Sequence, residues 1–417
     1  MRLGRREHVL VIGAGIGGLA LAQGLRKSGV SVAVYERDRS AKSRRQGYRV
    51  GINSDGARAL RDCLSEGLFQ LFVETSCQPI TGRMVSYDEQ LTERFGRPAP
   101  LAPADLSAAP SGVAPYTAAN RLTLREVLLA GLDDIVNFDK TFERYEQVDG
   151  GKIRAVFADG TMATGDLLVG ADGSNSGVRQ QLLPEAHLTV MGRSVYGRTP
   201  LTANSLEWIP ENFYNGFVGI ETADRLGMVI VGFQKRESFT AAIARLAPWA
   251  SLTEPQDYLM WSVHPDVQVS DDEFQQCEPQ ALLTIARAWV RDWHPLLQRV
   301  VHEAQAEATF PVIVRYAEPV GGWPVGNVTL LGDAIHTMPP TRGVGANTAL
   351  RDAELLHNLL VAVTRNEVSL VDAKTEYEDR MLQYGFEAVS KSVHQPFFKS
   401  PYGPPARRNV GFRGDRA

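Results

Sequence analysis

The sequence predicts an α/β fold: a Rossmann-like nucleotide-binding domain interrupted by a mixed β-sheet domain and followed by a C-terminal helix. Three observations carry this. HVLVIG at residues 8–13 has a short buried-strand pattern and runs into the turn Gly13-Ala14-Gly15-Ile16-Gly17-Gly18, then into the helical pattern LALAQGLRKS stopped by Gly29. A second strand, VSVAVYE, ends in Glu36, about 20 residues beyond the glycines, as a parallel βαβ nucleotide unit requires. From about Leu188 to Val320 aromatic-rich strand patterns replace this regime (GFVGIE, LGMVIVGFQ, YLMWSVH, TFPVIVRY), before NVTLLGDA returns the chain to the first domain.

The remaining elements follow in order. SDGARALRDCLSEGLFQLF reads as one helix capped by Ser54 or Asp55, with Ala57, Leu60, Leu64 and Leu68 on one face. Residues 97–115, rich in proline and alanine, fit neither a helix nor a central strand and read as an exposed, mobile loop. NRLTLREVLLAGL predicts a helix, and the strands after it include a hairpin turning at Asp159-Gly160. PQALLTIARAWVRDW predicts a helix between the last two aromatic-rich strands; Asn347 is read as the cap of another, and a final helix covers about 372–393. The domain assignment is residues 1–80, 116–185 and 321–365 for the nucleotide domain, 81–115 and 186–320 for the second, 366–395 for the C-terminal helix, and 396–417 for a disordered tail.

A chain of 417 residues, 44% hydrophobic and 22% charged, has the composition of an ordinary globular protein with room for two or three domains. A net charge of −4 gives no electrostatic case for nucleic acid or anionic lipid partners. Cys63, Cys77 and Cys277 lack metal-binding spacing, so no metal is expected, and free thiols suit a cytoplasmic protein. Arg5-Arg6 precedes an apolar run, but the four glycines Gly13, Gly15, Gly17 and Gly18 interrupt that run and no stretch reaches the roughly 20 apolar residues of a membrane span.

Three motifs carry the chemistry. In the first, Gly13, Gly15, Ile16, Gly17 and Gly18 let the backbone approach a pyrophosphate at a helix N-terminus, while Glu36 and Arg37 follow the second strand, where Glu36 can accept from a free ribose hydroxyl. The second is Asp172-Gly173 in LLVGADGSNSGVR. Asp172 is expected to bond the pyrophosphate-side backbone or hold Arg179, whose guanidinium can serve a phosphate. The third is Gly332-Asp333 in VTLLGDAIHTMPPTRGVGAN. A buried Asp333 needs donors, which flavin ribityl hydroxyls would supply. Pro340, Gly343, Gly345, Ala346 and Asn347 then form a segment against which a flat ring can lie, with a helix N-terminus facing its negative charge. Together, in this order, the three point to FAD.

On these motifs the chain resembles the single-component FAD aromatic monooxygenases, the para-hydroxybenzoate hydroxylase family, over about residues 9–363. The resemblance implies FAD binding by all three motifs. It adds Arg49 in GYRVGI near the pyrophosphate and Arg121 in NRLTLREVL on the cofactor, and places Pro339 and Pro340 beside the flavin where the substrate ring packs. Arg342 departs from the small or polar residue the family has there. The implied reaction has NADH or NADPH reduce the flavin and O2 add at flavin C4a, the hydroperoxide then delivering oxygen to an aromatic or polyketide-like small molecule. Tyr196, Arg198, Tyr214, Phe233, Trp261 and Tyr316, on the second domain, are the substrate-pocket candidates, and His264 is the candidate base. The alternatives are an FAD oxidase or reductase without oxygen insertion, a Baeyer–Villiger or epoxidising outcome on the same scaffold, and a flavin-bound module without turnover. A halogenase is disfavoured because LEWIPEN is only a fragment of the Trp-x-Trp-x-Ile-Pro segment that enzyme would carry.

Overall fold

A computed structural model describes residues 8–40, 43, 48–98, 116–324 and 326–402. Five short strands form a wholly parallel sheet in the order Val328–Leu330, Leu167–Gly170, His8–Ile12, Ser31–Tyr35, Val136–Asn137. Strand His8–Ile12 sits at its centre because four of its five residues are apolar and buried, as a parallel sheet covered on both faces demands. Helices Ile16–Lys27 and Gly345–Thr364 pack against each other beside this sheet. The first ends where Gly29 takes a left-handed φ of 73°, as its position in the sequence predicts.

The structure differs from the sequence reading at four places. The helix predicted over SDGARALRDCLSEGLFQLF is two, Ser54–Cys63 and Glu66–Glu74. Ser65 breaks it by accepting from the Leu68 amide as a fresh N-cap, and Asn53, rather than Ser54 or Asp55, caps the first by accepting from Gly56 N. Asn347 lies inside helix Gly345–Thr364 instead of capping it. Residues 396–402, expected to be disordered, are packed against the protein, with Phe398 buried; 403–417 lie outside the described residues. Of the predicted loop, Arg97 and Pro98 close the edge strand Glu93–Pro98, where a sheet tolerates proline, and 99–115 lie outside the described residues.

The second sheet has seven strands, in the order Phe310–Ala317, Leu188–Pro200, Tyr258–Val263, Leu226–Phe233, Phe217–Glu221, Arg83–Tyr87, Glu93–Pro98. Every pair is antiparallel except Phe217–Glu221 with Arg83–Tyr87, so the sheet is mixed. Register assigns its two faces. Arg198, Met260, Val231 and Phe217 are cross-strand partners on one face; Phe310, Tyr196, Ser262, Val229 and Gly219 form the neighbouring row of that face. Trp261, partner of Gly197 and Ile230, points the other way into a core with Leu282, Leu283, Leu297 and Val300 from helices Pro279–Trp289 and Pro295–His302.

Among the described residues no helix is long and apolar enough to cross a membrane. Trp261 is fully buried, with its indole N–H donated to Thr199 Oγ1 at 3.2 Å. Trp261→Ala is expected to cost about 3–5 kcal/mol in denaturant unfolding by leaving a cavity; a loss below about 1 kcal/mol would show that this face is not the packed one.

Candidate functional site

The three motifs meet. Gly13 has φ 109°, and a Cβ there would lie 2.4 Å from the carbonyl oxygen of Ala171 and 2.9 Å from Asp172 Cα, so the first glycine turn rests directly on the Asp172-Gly173 turn. A Cβ at Gly17 would meet Leu331 Cδ2 at 2.5 Å, placing the helix of the first motif on the strand end that precedes Gly332-Asp333. Gly15, Gly173 and Gly343, one from each segment, have nothing within 4 Å of the Cβ they lack. Three separate turns therefore leave bare backbone toward open space, Gly15 doing so at the N-terminal end of helix Ile16–Lys27.

Glu36 is buried and accepts from Ala14 N at 2.7 Å and Asp38 N at 3.0 Å. Arg125 completes this corner, donating from Nε to Ala14 O at 3.0 Å and standing 3.7 Å from Glu36 and 3.5 Å from Asp38. Arg125 was not singled out in the sequence; it lies one helical turn beyond Arg121 on helix Arg121–Leu129, which was the available signal. Arg121, half-buried, donates its backbone N–H to Tyr48 O at 2.7 Å, Arg49 begins the strand Arg49–Asn53, and Arg37 is exposed.

Around Asp172 the contacts are local. Its carboxylate accepts from Ser176 Oγ at 2.5 Å and Gly177 N at 2.8 Å, capping helix Gly177–Leu182; burial raises its pKa while these bonds oppose the rise. Arg179 departs from its predicted role. It is buried and donates to Ala334 O at 2.9 Å and Ser174 O at 2.8 Å, so its guanidinium staples the second motif to the third instead of facing a phosphate.

Asp333, expected to be buried, is exposed at the first turn of the short helix Asp333–His336. The buried carboxylate of this region is Asp352. It accepts from Gly332 N at 2.8 Å and Tyr384 Oη at 2.6 Å, and pairs with His336 Nε2 at 2.6 Å, with His336 and Asp352 both fully enclosed. The sequence signal was an acid on the apolar stripe of its helix, LRDAELL, which needs a partner when buried. Asn347 is another tie: it accepts from Asn53 N at 2.9 Å and donates to Gly51 O at 2.9 Å and Gly343 O at 3.2 Å. In the neighbouring loop Pro339 is buried and Pro340 exposed, while Gly345 and Ala346 open helix Gly345–Thr364. Arg342 engages the C-terminal segment, donating to Gln395 O at 2.6 Å with its guanidinium 4.9 Å from the Phe397 ring centroid.

The substrate candidates separate by face. Tyr196 and Arg198 share a face and are partly exposed. Arg198 donates to Gln305 Oε1 at 2.7 Å and sits against the touching ring pair Tyr48–Tyr258, 5.6 and 5.9 Å from their centroids. Phe233 is fully buried and stacks on Tyr258 at 5.2 Å. Tyr214 lines a 420 Å³ cavity with Gln78, Ile80 and Gln234. Tyr316 lies next to Ala317, whose N–H reaches Thr337 O at 2.8 Å, near the third motif. Trp261 is excluded from this group because strand alternation turns it to the helical face. His264 is buried beside Ser194 Oγ at 2.8 Å, and burial, followed by Arg225's charge, lowers its pKa to about 3, leaving it a weak base near neutrality.

A family profile describing an FAD binding domain matches residues 6–389. The chain belongs to that family. This FAD binding domain protein is 32% identical over 381 residues to a dual O-methyltransferase/FAD-dependent monooxygenase of Phaeosphaeria nodorum, covering 83% of this chain and 39% of the relative. It spans about two fifths of the length of such dual-activity relatives. An FAD-dependent monooxygenase of Trichoderma harzianum is 26% identical, with 92% of each chain covered. A crystal structure from Photorhabdus luminescens, provisionally described as an FAD containing monooxygenase, superposes with a TM-score of 0.77 at 33% identity, covering 93% of this chain and 96% of that one.

Burial pulls the His336 pKa down, but the charge and hydrogen bond of Asp352, helped by Asp333, outweigh it, so the net shift is upward. A raised folded-state pKa stabilises fully below the unfolded value of about 6.5 and progressively less as pH rises through the folded one. Thermal stability is therefore expected to decline from about pH 6.5 upward, and Asp352→Asn is expected to flatten that decline. A wild-type slope unaltered by Asp352→Asn would remove His336 as its source.

Proposed function

We propose that this FAD binding domain protein is an NAD(P)H-consuming monooxygenase that inserts one oxygen atom into an aromatic or polyketide-like small molecule. The observation that supports it best is the meeting of the three motifs, where Gly13 rests on Ala171 and Asp172 and Gly17 on Leu331, with bare backbone at Gly15 opening the helix Ile16–Lys27. Relatives named FAD-dependent monooxygenase support the same reading.

The donor set fits FAD. Gly15 and the first turn of Ile16–Lys27 would hold the pyrophosphate, Glu36 with Arg125 the adenosine ribose, and Asp333 the ribityl hydroxyls. The N-terminus of Gly345–Thr364 would face the ring and stabilise negative charge on it. Bound FAD supplies the redox chemistry, accepting electrons from NADH or NADPH and activating O2. The protein's work is to orient the substrate and exclude water. Arg198, pinned at Nε by Gln305 and packed on the Tyr48–Tyr258 ring pair, presents its remaining guanidinium donors to an acidic or carbonyl-bearing aromatic guest. Tyr196, whose pKa burial raises to about 12, stays protonated and serves as a hydroxyl donor. With His264 a weak base, no side chain is assigned to deprotonate substrate.

Two experiments test this. Incubation in air with FAD, NADH or NADPH and a panel of phenols and polyketide-like phenolics is expected to give substrate-stimulated nicotinamide oxidation and a product heavier by one oxygen. Peroxide as the sole product from every compound would instead point to uncoupled turnover or an oxidase. Gly15→Ala is expected to leave the melting temperature unchanged, because its Cβ meets no protein atom, while weakening FAD binding roughly tenfold or more. Equal FAD affinity in the variant would mean the pyrophosphate does not lie there.

A further inference from the structure

Beyond helix Leu370–His394 the chain turns back and crosses the protein. The last turn of that helix already holds the proline loop of the third motif, Thr341 Oγ1 donating to Ser392 O; past it, Arg342 donates to Gln395 O and Phe397 N to Thr341 O at 3.4 Å. The chain next reaches the seven-stranded sheet. The Phe398 ring stacks on Phe217 with centroids 5.9 Å apart, over Gly219, where a Cβ would lie 2.7 Å from its Cδ1. Lys399 bonds the far end of the same strand and the bend after it, N–H to Glu221 Oε1 and Nζ to Ala223 O, both at 3.3 Å. Tyr402 ends the crossing: its ring fills the space over Gly192, where a Cβ would lie 2.5 Å from Cδ1, and its hydroxyl is 2.8 Å from Ser194 Oγ. The ring also meets His264 edge-on at 5.5 Å.

Strand alternation shows which face this is. Phe217 and Gly219 are in register with the rows that hold Arg198 and Tyr196, and Gly192 and Ser194 precede Tyr196 at two-residue spacing. The opposite face is filled by the helices around Trp261. The segment thus runs from the loop assigned to the flavin onto the face assigned to the substrate, with each aromatic ring seated over a glycine that a larger residue would close.

We propose that residues 395–402 form a wall of the substrate site, a strap in which Phe398 and Tyr402 are positioning residues that hold the loop at 339–343 against the Tyr196–Arg198 face and shield the flavin from solvent. The inference rests on the cofactor placement proposed above. It assigns a role to His264 and Ser194, which anchor Tyr402, and to Arg342, whose charge fastens the loop to the strap.

The test compares full-length protein with Phe398→Ala, Tyr402→Ala, Tyr402→Phe and a truncation after Tyr402, using two readouts. Hydrogen–deuterium exchange at residues 341–346 needs no flavin; it is expected to accelerate roughly tenfold in both alanine variants, as local opening becomes easier, and to stay at the wild-type rate in the truncation. Iodide quenching of bound-flavin fluorescence is expected to rise roughly threefold in the alanine variants at unchanged FAD content, since shielding, not affinity, is lost. Tyr402→Phe keeps the ring over Gly192 and is expected to behave as wild type in quenching. Exchange unchanged in both alanine variants overturns the strap. So does faster exchange with unchanged quenching, which would make the segment a brace without a role at the site. If the wild type takes up no FAD yet its loop exchange responds to the variants, the strap stands as the loop's anchor, its shielding role is overturned, and the cofactor reading fails separately.

Discussion

The architecture depends on one close approach. Gly13 lets the end of the central strand rest on Ala171 and Asp172 with no side chain between them, at a φ of 109° that other residues rarely adopt. Because strands His8–Ile12 and Leu167–Gly170 are parallel neighbours, that contact brings the carboxyl ends of two strands, and the turns after them, to one place. Strand Val328–Leu330 adds the third turn from the far side of Leu167–Gly170. Turns at the carboxyl ends of parallel strands are where such sheets bind ligands, and here three separate stretches of chain supply them.

What holds the three turns in place is polar and buried. Arg179 spans two backbone carbonyls between the second and third motifs, and Asp352 gathers Gly332 N–H, His336 and Tyr384 around one carboxylate. Removing one member of such a network leaves the others uncompensated, which costs more than the gain of any single bond. These residues act on the cofactor region through the backbone they fix. The third motif consequently leans on Tyr384 in the C-terminal helix, and Thr341 and Arg342 lean on the segment after it.

Much of this was legible in the sequence because the signals were local. Gly13, Gly15, Glu36, Asp172 and Gly332-Asp333 each follow an apolar strand pattern, and strand, turn and helix propensities agree there. The C-terminal helix and the mixed sheet were legible for the same reason. What escaped depends on geometry that a linear reading lacks. Trp261 and Tyr258 look alike in YLMWSVH, and only the register of the sheet sends one into the helical core and keeps the other beside Arg198. Arg179 is a charge in a plausible place, yet its partners are carbonyls 5 and 155 residues away. The stretch from Pro396 carries prolines and arginines that suggest disorder, but Phe398 and Tyr402 find glycines on two distant strands.

The central claim is that these turns together form one dinucleotide cradle, and the most direct measurement is titration of the folded apoprotein with FAD, followed by flavin fluorescence and calorimetry. The account predicts saturation at one FAD per chain with a dissociation constant below about 1 μM. A cooperatively folded protein that takes up no FAD would contradict it.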